Sequence, residues 1–259
     1  MESMVKVSGT DEVWAEDTGG AGTPLVLLHP GVGDSSLWDG ILPGLAARHR
    51  VIRYDVRGYG RSPAPTARYS IAADLAAVLD HFGARRAVLV GSSMGGSAAL
   101  SLAVADPGRV AGLALFVPGV TGYEGLEPAG FVQELERLAT AGDTEGIVAL
   151  GLGIWGRAGT DGDPHAAAAL RSALRGWFTN HPHQVPDAPV FDRLGEVAAP
   201  TVLALGELDQ PEVVRCNEEM AARIPGCRLV RLAGSDHFPT LREPEAVAGL
   251  IEDLAARVG

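Results

Sequence analysis

Six short runs of aliphatic and β-branched residues punctuate the chain: "PLVLLH" from Pro24, "RVIRYD" from Arg50, "AVLVG" from Ala87, "VAGLALFV" from Val110, "TVLALG" from Thr201 and "RLVRLA" from Arg228. Helix-length stretches separate them. A strand that is apolar at successive positions must bury both faces, and a parallel sheet covered by helices on each side achieves that. The runs therefore predict an α/β architecture with six central strands in a doubly wound, mostly parallel sheet. Ahead of them, "MVKVSG" and "DEVWAED" flank the turn "SGTD", which predicts an antiparallel hairpin at the sheet edge. Helices are expected over residues 34–47, 71–81, 94–105, 212–224 and 244–258.

The alternation stops between Val120 and Ala199, where "GFVQELERLATAG", "TEGIVALGLGIW" and "HAAAALRSALRGWF" read as helices and no run reads as a strand. A structureless loop of that length is unusual inside a compact domain, so an inserted helical cap is expected. Residues 1–118 and 200–259 would then form the core and 119–199 the cap, within the reach of one globular unit at 259 residues.

Composition removes several classes of function. The net charge is -11 and the arginines are scattered, so no basic stripe is available to neutralise a nucleic-acid backbone. The first residues are acidic where a signal peptide is cationic and then apolar, and no apolar run reaches membrane-spanning length, so a cytoplasmic protein with no membrane partner is expected. Cys216 and Cys227 are the only cysteines and lack CxxC spacing, which argues against disulfides and structural zinc. Lys6 is the only lysine, leaving a Schiff-base or P-loop mechanism almost no residue to use.

The stretch "AVLVGSSMGGSAAL" changes character in its middle: a strand-like run stops at Gly91, small residues follow, and an alanine-rich helix begins. "GSSMG", residues 91–95, fits G-x-S-x-G. By chance a chain of this composition yields that pattern about 0.2 times, so the strand before it and the helix after it carry the weight. An abrupt turn from strand to helix strains its central residue and crowds the flanking backbone, which is why the neighbours are small. Ser93 would present its hydroxyl at the carboxyl end of the sheet, beside the N–H groups of a helix N-terminus.

A serine hydroxyl becomes a useful nucleophile when a base takes its proton and an acid orients the base. Of seven histidines, only His237 follows all the later strands, in "LAGSDHFPTLREPE". For the acid, "VLALGELDQPE" offers Asp209 and Glu207 beyond a strand end; Asp209 lies further into the loop and is preferred. Asp236, adjacent to His237, is set aside because loop neighbours point apart. The oxyanion calls for N–H donors: Met94, directly after Ser93, and one from "LLHPGVGDSSLW". Pro30 has no N–H, so Gly31 is preferred there, with Val32 second.

Together these segments resemble the α/β-hydrolase superfamily over nearly the whole chain. "LLHPGVGDSSLW" is similar to its oxyanion segment, "YDVRGYGRS" to its D-x-R-G-x-G-x-S segment, "VGSSMGG" to its nucleophile elbow, "GELD" to its acid turn and "GSDHFPTLREPE" to its histidine loop. One departure is Pro30, where glycine is usual. Asp55 and Arg57 map onto a segment that is chiefly structural in the family. The cap segment "GDTEGIVALGLGIWGRAG" resembles, more loosely, those of enol-lactone hydrolases and small esterases. The resemblance implies a cofactor-independent serine hydrolase, without metal, acting on a small-molecule carboxylic ester or lactone through an acyl-enzyme. Two alternatives share the fold: carbon–carbon bond hydrolysis or perhydrolase chemistry on the same triad, and a non-catalytic ligand-binding protein.

Trp38, Trp155 and Trp177, with Phe131 and Phe178, are candidates for an apolar pocket under the cap, and Arg157, Arg171 and Arg175 for binding a substrate carboxylate. Other signals carry little. "GLGIWG" fits G-x-G-x-x-G but follows a helix and lacks the acid of a dinucleotide site. "HPH" at His181 and His183 has no third ligand nearby, and "DGD" at residues 161–163 lacks the rest of a calcium loop.

Overall fold

Side chains alternate across a strand, so each apolar run divides between two cores. In strand β3 (Leu25–Leu28), Leu25 and Leu27 enter one core while Val26 and Leu28 enter the other. Val88 and Val90 of β5 (Ala87–Ser92) join the first pair, and Ala87 and Leu89 the second. The same division explains why the sequence runs are continuously apolar. The computed structural model describes residues 1–159 and 163–258.

The remaining strands are β1 (Glu2–Ser8), β2 (Asp11–Asp17), β4 (Val51–Tyr54), β6 (Val110–Phe116), β7 (Thr201–Gly206) and β8 (Arg228–Leu232). They form one eight-stranded sheet in the order β1-β2-β4-β3-β5-β6-β7-β8. The pairs β1/β2 and β2/β4 are antiparallel and the others parallel, as the N-terminal hairpin and the six apolar runs imply. On one face lie α2 (Ile71–His81), α3 (Met94–Ala105) and α7 (Pro211–Arg223); on the other lie α1 (Leu42–Ala46) and α9 (Pro244–Val258).

Local chemistry sets the ends. Ser70 accepts a hydrogen bond from the Ala73 N–H and starts α2. Pro211 opens α7 one residue earlier than the sequence reading, because a first-turn proline has no N–H to waste. The single helix expected over residues 34–47 is instead a short 3-10 turn, Ser35–Trp38, followed by α1. Gly40 and Pro43 interrupt it, the proline removing a donor that a continuous helix needs.

Between β6 and β7 the described residues contain α4 (Phe131–Thr140), α5 (Thr144–Trp155), α6 (Pro164–Asn180) and the 3-10 turn Phe191–Glu196, and no strand. A further short helix, α8 (Pro239–Arg242), follows the His237 loop. A third core joins α5 and α6 to the loops at the carboxyl ends of the strands: Val148, Ala166 and Leu170 pack with Val32, Leu37 and Phe238. No helix among the described residues is long and apolar enough to cross a membrane.

Candidate active site

Ser93 stands between the last residue of β5 and the first of α3, with φ 47° and ψ -111°. This is a conformation that side chains other than glycine rarely adopt, and it holds because the backbone around it is overdetermined. The Ser93 N–H donates to the Phe116 carbonyl (3.1 Å), and its own carbonyl accepts from the N–H groups of Ser97 and Gly119 (3.0 Å each). The glycines are demanded by contact. A Cβ on Gly91 would sit 2.6 Å from the Gly95 carbonyl oxygen, one on Gly96 2.6 Å from Pro118 Cβ, and one on Gly95 would overlap the Leu28 carbonyl. The G-x-S-x-G pattern thus follows from how closely α3 approaches β3 and β5.

The structure brings His237 and Asp209 to this corner. His237 Nε2 lies 2.8 Å from Ser93 Oγ, and His237 Nδ1 lies 2.6 Å from Asp209 Oδ2. A carboxylate only accepts, so the neutral imidazole carries its proton on Nδ1 and turns the Nε2 lone pair toward the serine hydroxyl. Asp209 and His237 are buried, at 4% and 5% exposure, while Ser93 is partly open. Asp209 Oδ1 accepts from the Gln210 N–H (2.7 Å), which fixes the carboxylate plane. Glu207, the alternative acid, is exposed and lies 3.7 Å from Arg231.

Gly31 faces Met94: a Cβ on Gly31 would lie 3.6 Å from Met94 Sδ. Among the described residues neither the Gly31 nor the Met94 N–H is engaged by another protein group. His29, which the sequence reading did not select, orients one of them. Its Nε2 accepts from the Val56 N–H (3.0 Å), so Nδ1 carries the proton and donates to the Pro30 carbonyl (2.8 Å). The Pro30 carbonyl and the Gly31 N–H belong to one planar peptide, so holding the first aims the second. The place of His29 directly after β3, at the start of the loop, was the available signal. Trp177 Nε1 donates to the Gly31 carbonyl (2.6 Å) and pins the following peptide as well.

The aromatic candidates separate. Trp155, Trp177 and Phe131 form an edge-to-face cluster with centroids 5.2 to 6.1 Å apart. It adjoins the site, since the Trp155 carbonyl accepts from the His237 N–H (3.2 Å). Trp38 is elsewhere: fully buried, its ring edge-on to Phe116, it fills the core between the sheet and α9. The interrupted helix turns its large apolar ring inward, which corrects its assignment to the pocket. Phe178 is half exposed and lies outside the cluster.

Two of the three candidate arginines are already engaged. Arg171 pairs with Glu145, and Arg175 donates to the carbonyls of Gly58, Gly60 and Ser62. Arg157 is exposed and its Nη1 reaches the Asp209 carbonyl (3.4 Å), at the wall of a cleft of about 410 Å³ that Asp209 and Leu208 also line. Asp55 and Arg57 are fully buried scaffolding: Asp55 accepts from the N–H groups of Ser35 and Arg61, and Arg57 bridges Asp11 and Asp74. Burial pushes the Cys216 thiol up to about 12 and the Cys227 thiol up to about 11, so neither is a reactive thiolate. Asp161 and Gly162 of the "DGD" stretch lie outside the described residues, and Asp163 caps α6. Among the described residues no three His, Cys, Asp or Glu side chains are grouped to hold a metal ion.

A strained serine at a strand-to-helix corner, with an imidazole and a carboxylate delivered from two later loops of a mostly parallel sheet, defines the architecture of an α/β hydrolase. The model of the alpha/beta hydrolase fold matches residues 23–143. An uncharacterized protein of Mycobacterium tuberculosis is 31% identical over 90% of this chain and 75% of its own length. The pimeloyl-[acyl-carrier protein] methyl ester esterase of Aeromonas hydrophila is 29% identical over 90% of this chain and 95% of its own. Among solved structures, Est816, described as an N-acyl homoserine lactone degrading enzyme, superposes with a TM-score of 0.81 at 28% identity, covering 97% of this chain and 99% of its own. The chain belongs to the α/β-hydrolase superfamily.

Proposed function

We propose that the protein is a serine hydrolase that cleaves a small-molecule carboxylic ester or lactone without a cofactor. Ser93 Oγ attacks the carbonyl carbon as its proton passes to His237 Nε2, and Asp209 stabilises the imidazolium through Nδ1. The N–H groups of Met94 and Gly31 receive the tetrahedral oxyanion. Collapse breaks the bond to the alkoxy oxygen, which leaves with the proton from His237; in a lactone that alcohol stays tethered to the acyl group. Water, deprotonated by His237, then releases the acid and restores Ser93.

The observation that carries this reading is the continuous relay from Asp209 Oδ2 to Nδ1 and from Nε2 to Ser93 Oγ, at 2.6 and 2.8 Å. Ester and lactone chemistry is favoured by the relatives named for it, which span most of both chains. We assign residues 119–199 as a cap, residues 1–118 and 200–259 as the catalytic core, and the cluster of Phe131, Trp155 and Trp177 as the apolar wall against which an acyl group packs. Treatment with a fluorophosphonate, followed by mass spectrometry, is expected to place one label on Ser93, and Ser93→Ala to lose both the label and the hydrolysis of chromogenic acyl esters. A folded wild-type protein that takes no label and turns over neither esters nor lactones rejects the proposal in favour of a binding role.

A further inference from the structure

The triad chemistry leaves unexplained a buried charged cluster directly behind it. The Asp236 side chain is fully buried, next in sequence to His237, yet its carboxylate turns away from the imidazole. It accepts from the N–H groups of Phe238 and Ala158 (2.9 Å each), from Arg242 Nη2 (3.0 Å) and from Arg242 Nε (3.1 Å). Arg242 Nη1 donates to the Asp163 carboxylate, which accepts from the N–H groups of His165 and Ala166 at the first turn of α6 (3.1 Å each). One guanidinium therefore joins two carboxylates from segments that are distant in sequence: the His237 loop and the α5–α6 connection. The His237 N–H closes the circuit on the Trp155 carbonyl at the end of α5.

Stability alone does not call for such a cluster, since apolar residues of equal volume commonly serve a protein interior as well or better. A guanidinium fork does something a methyl group cannot: it sets distance and angle between the groups it bridges. Here the bridged groups are the residue before His237 and the cap of the helix that carries Trp177, whose indole in turn holds the Gly31 carbonyl.

We propose that Arg242 and Asp236 are positioning residues, which with Asp163 hold the His237 imidazole in line with Ser93. The inference rests on the triad reading above.

The test compares wild type with Arg242→Met, Arg242→Lys and Asp163→Asn. Asparagine at position 163 keeps the helix cap while breaking the ionic link, and it serves where the methionine variant fails to fold. The readouts are kcat and KM on an uncharged p-nitrophenyl ester, the rate of Ser93 labelling by an uncharged fluorophosphonate, and thermal melting. Arg242→Met is expected to lower kcat and the labelling rate together by about 10- to 100-fold with KM within about threefold, because a small displacement of the base is costly. Arg242→Lys should recover part of that loss, and Asp163→Asn should lower kcat by about 3- to 10-fold in folded protein. Folded Asp163→Asn and Arg242→Lys with kcat and labelling at wild-type values overturn the proposal, as does Arg242→Met that melts earlier but turns over normally. Wild-type protein without labelling or turnover instead rejects the triad reading itself.

Discussion

Ser93 Oγ and His237 Nε2 stand 2.8 Å apart although 144 positions separate them along the chain. Ser93 is fixed by the strand-to-helix corner and His237 by its backbone bond to Trp155, so neither residue depends on the other for its place. The hydrogen bond between them joins two independently held groups, which is the preorganisation that proton transfer requires.

The strain at position 93 has a measurable signature. Glycine adopts φ 47° readily and alanine does not, so Ser93→Gly should be more stable than Ser93→Ala by about 1 kcal/mol, after the entropy of the glycine in the unfolded chain is subtracted. Both variants should lack esterase activity. Chemical denaturation of the two, side by side, checks the difference.

The acid assignment predicts unequal outcomes for two neighbouring carboxylates. Asp209→Asn should lower kcat by about 10⁴-fold, because an asparagine N–H would turn the imidazole to the wrong tautomer. Glu207→Gln should stay within about twofold, since Glu207 is an exposed group with only a loose tie to Arg231. Steady-state kinetics on one chromogenic ester decides between them.

His29→Phe removes the donor to the Pro30 carbonyl and the acceptor of the Val56 N–H. With the Pro30–Gly31 peptide free to rotate, kcat should fall about 10-fold, short of the full loss of an oxyanion donor, with KM little changed. Stability should fall by about 1–2 kcal/mol from the unmet polar groups. Kinetics and melting of the same preparation give both numbers.

Gly95→Ala should abolish the native fold at moderate temperature or cost at least about 3 kcal/mol, because the new methyl overlaps the Leu28 carbonyl, part of a strand that cannot move aside. Gly249→Ala on α9, where a Cβ meets nothing within 4 Å, should instead be neutral or gain up to about 1 kcal/mol. Urea midpoints of the two variants are the check.

At the end of β2, burial pushes the Asp17 carboxyl up, but the Arg50 guanidinium and the Gly19 N–H outweigh it and leave it below its ordinary 3.8. A carboxylate with a lowered folded value contributes its full stability above about pH 4 and loses it as pH falls through that value. Asp17→Asn should therefore be about 1 kcal/mol less stable than wild type at pH 7, with the difference shrinking as pH falls below about 4, read from urea unfolding across that range.

Much of the architecture is legible in the amino-acid sequence. The six apolar runs became the parallel strands, α2, α3 and α9 span the residues expected of them, and the order Ser93, Asp209, His237 follows from three strand ends. These features are written locally, in side-chain period and turn chemistry. Trp38 shows the limit: a tryptophan reads alike whether it lines a pocket or fills a core, and an interrupted helix sent it inward. His29 shows another, since its role is a bond to the carbonyl of its own neighbour, visible in no residue pattern.

What the amino-acid order dictated, then, was the alternation of strand and helix, the glycine-flanked serine and the loops that carry its partners, because those depend on contacts within a few residues. Folding in three dimensions settled which of Asp209 and Glu207 meets the imidazole, which aromatic rings gather beside it, and that Asp236 turns to Arg242. Each of those outcomes depends on distances between segments far apart in the chain, where a rotation of one side chain or an early helix break changes the neighbour.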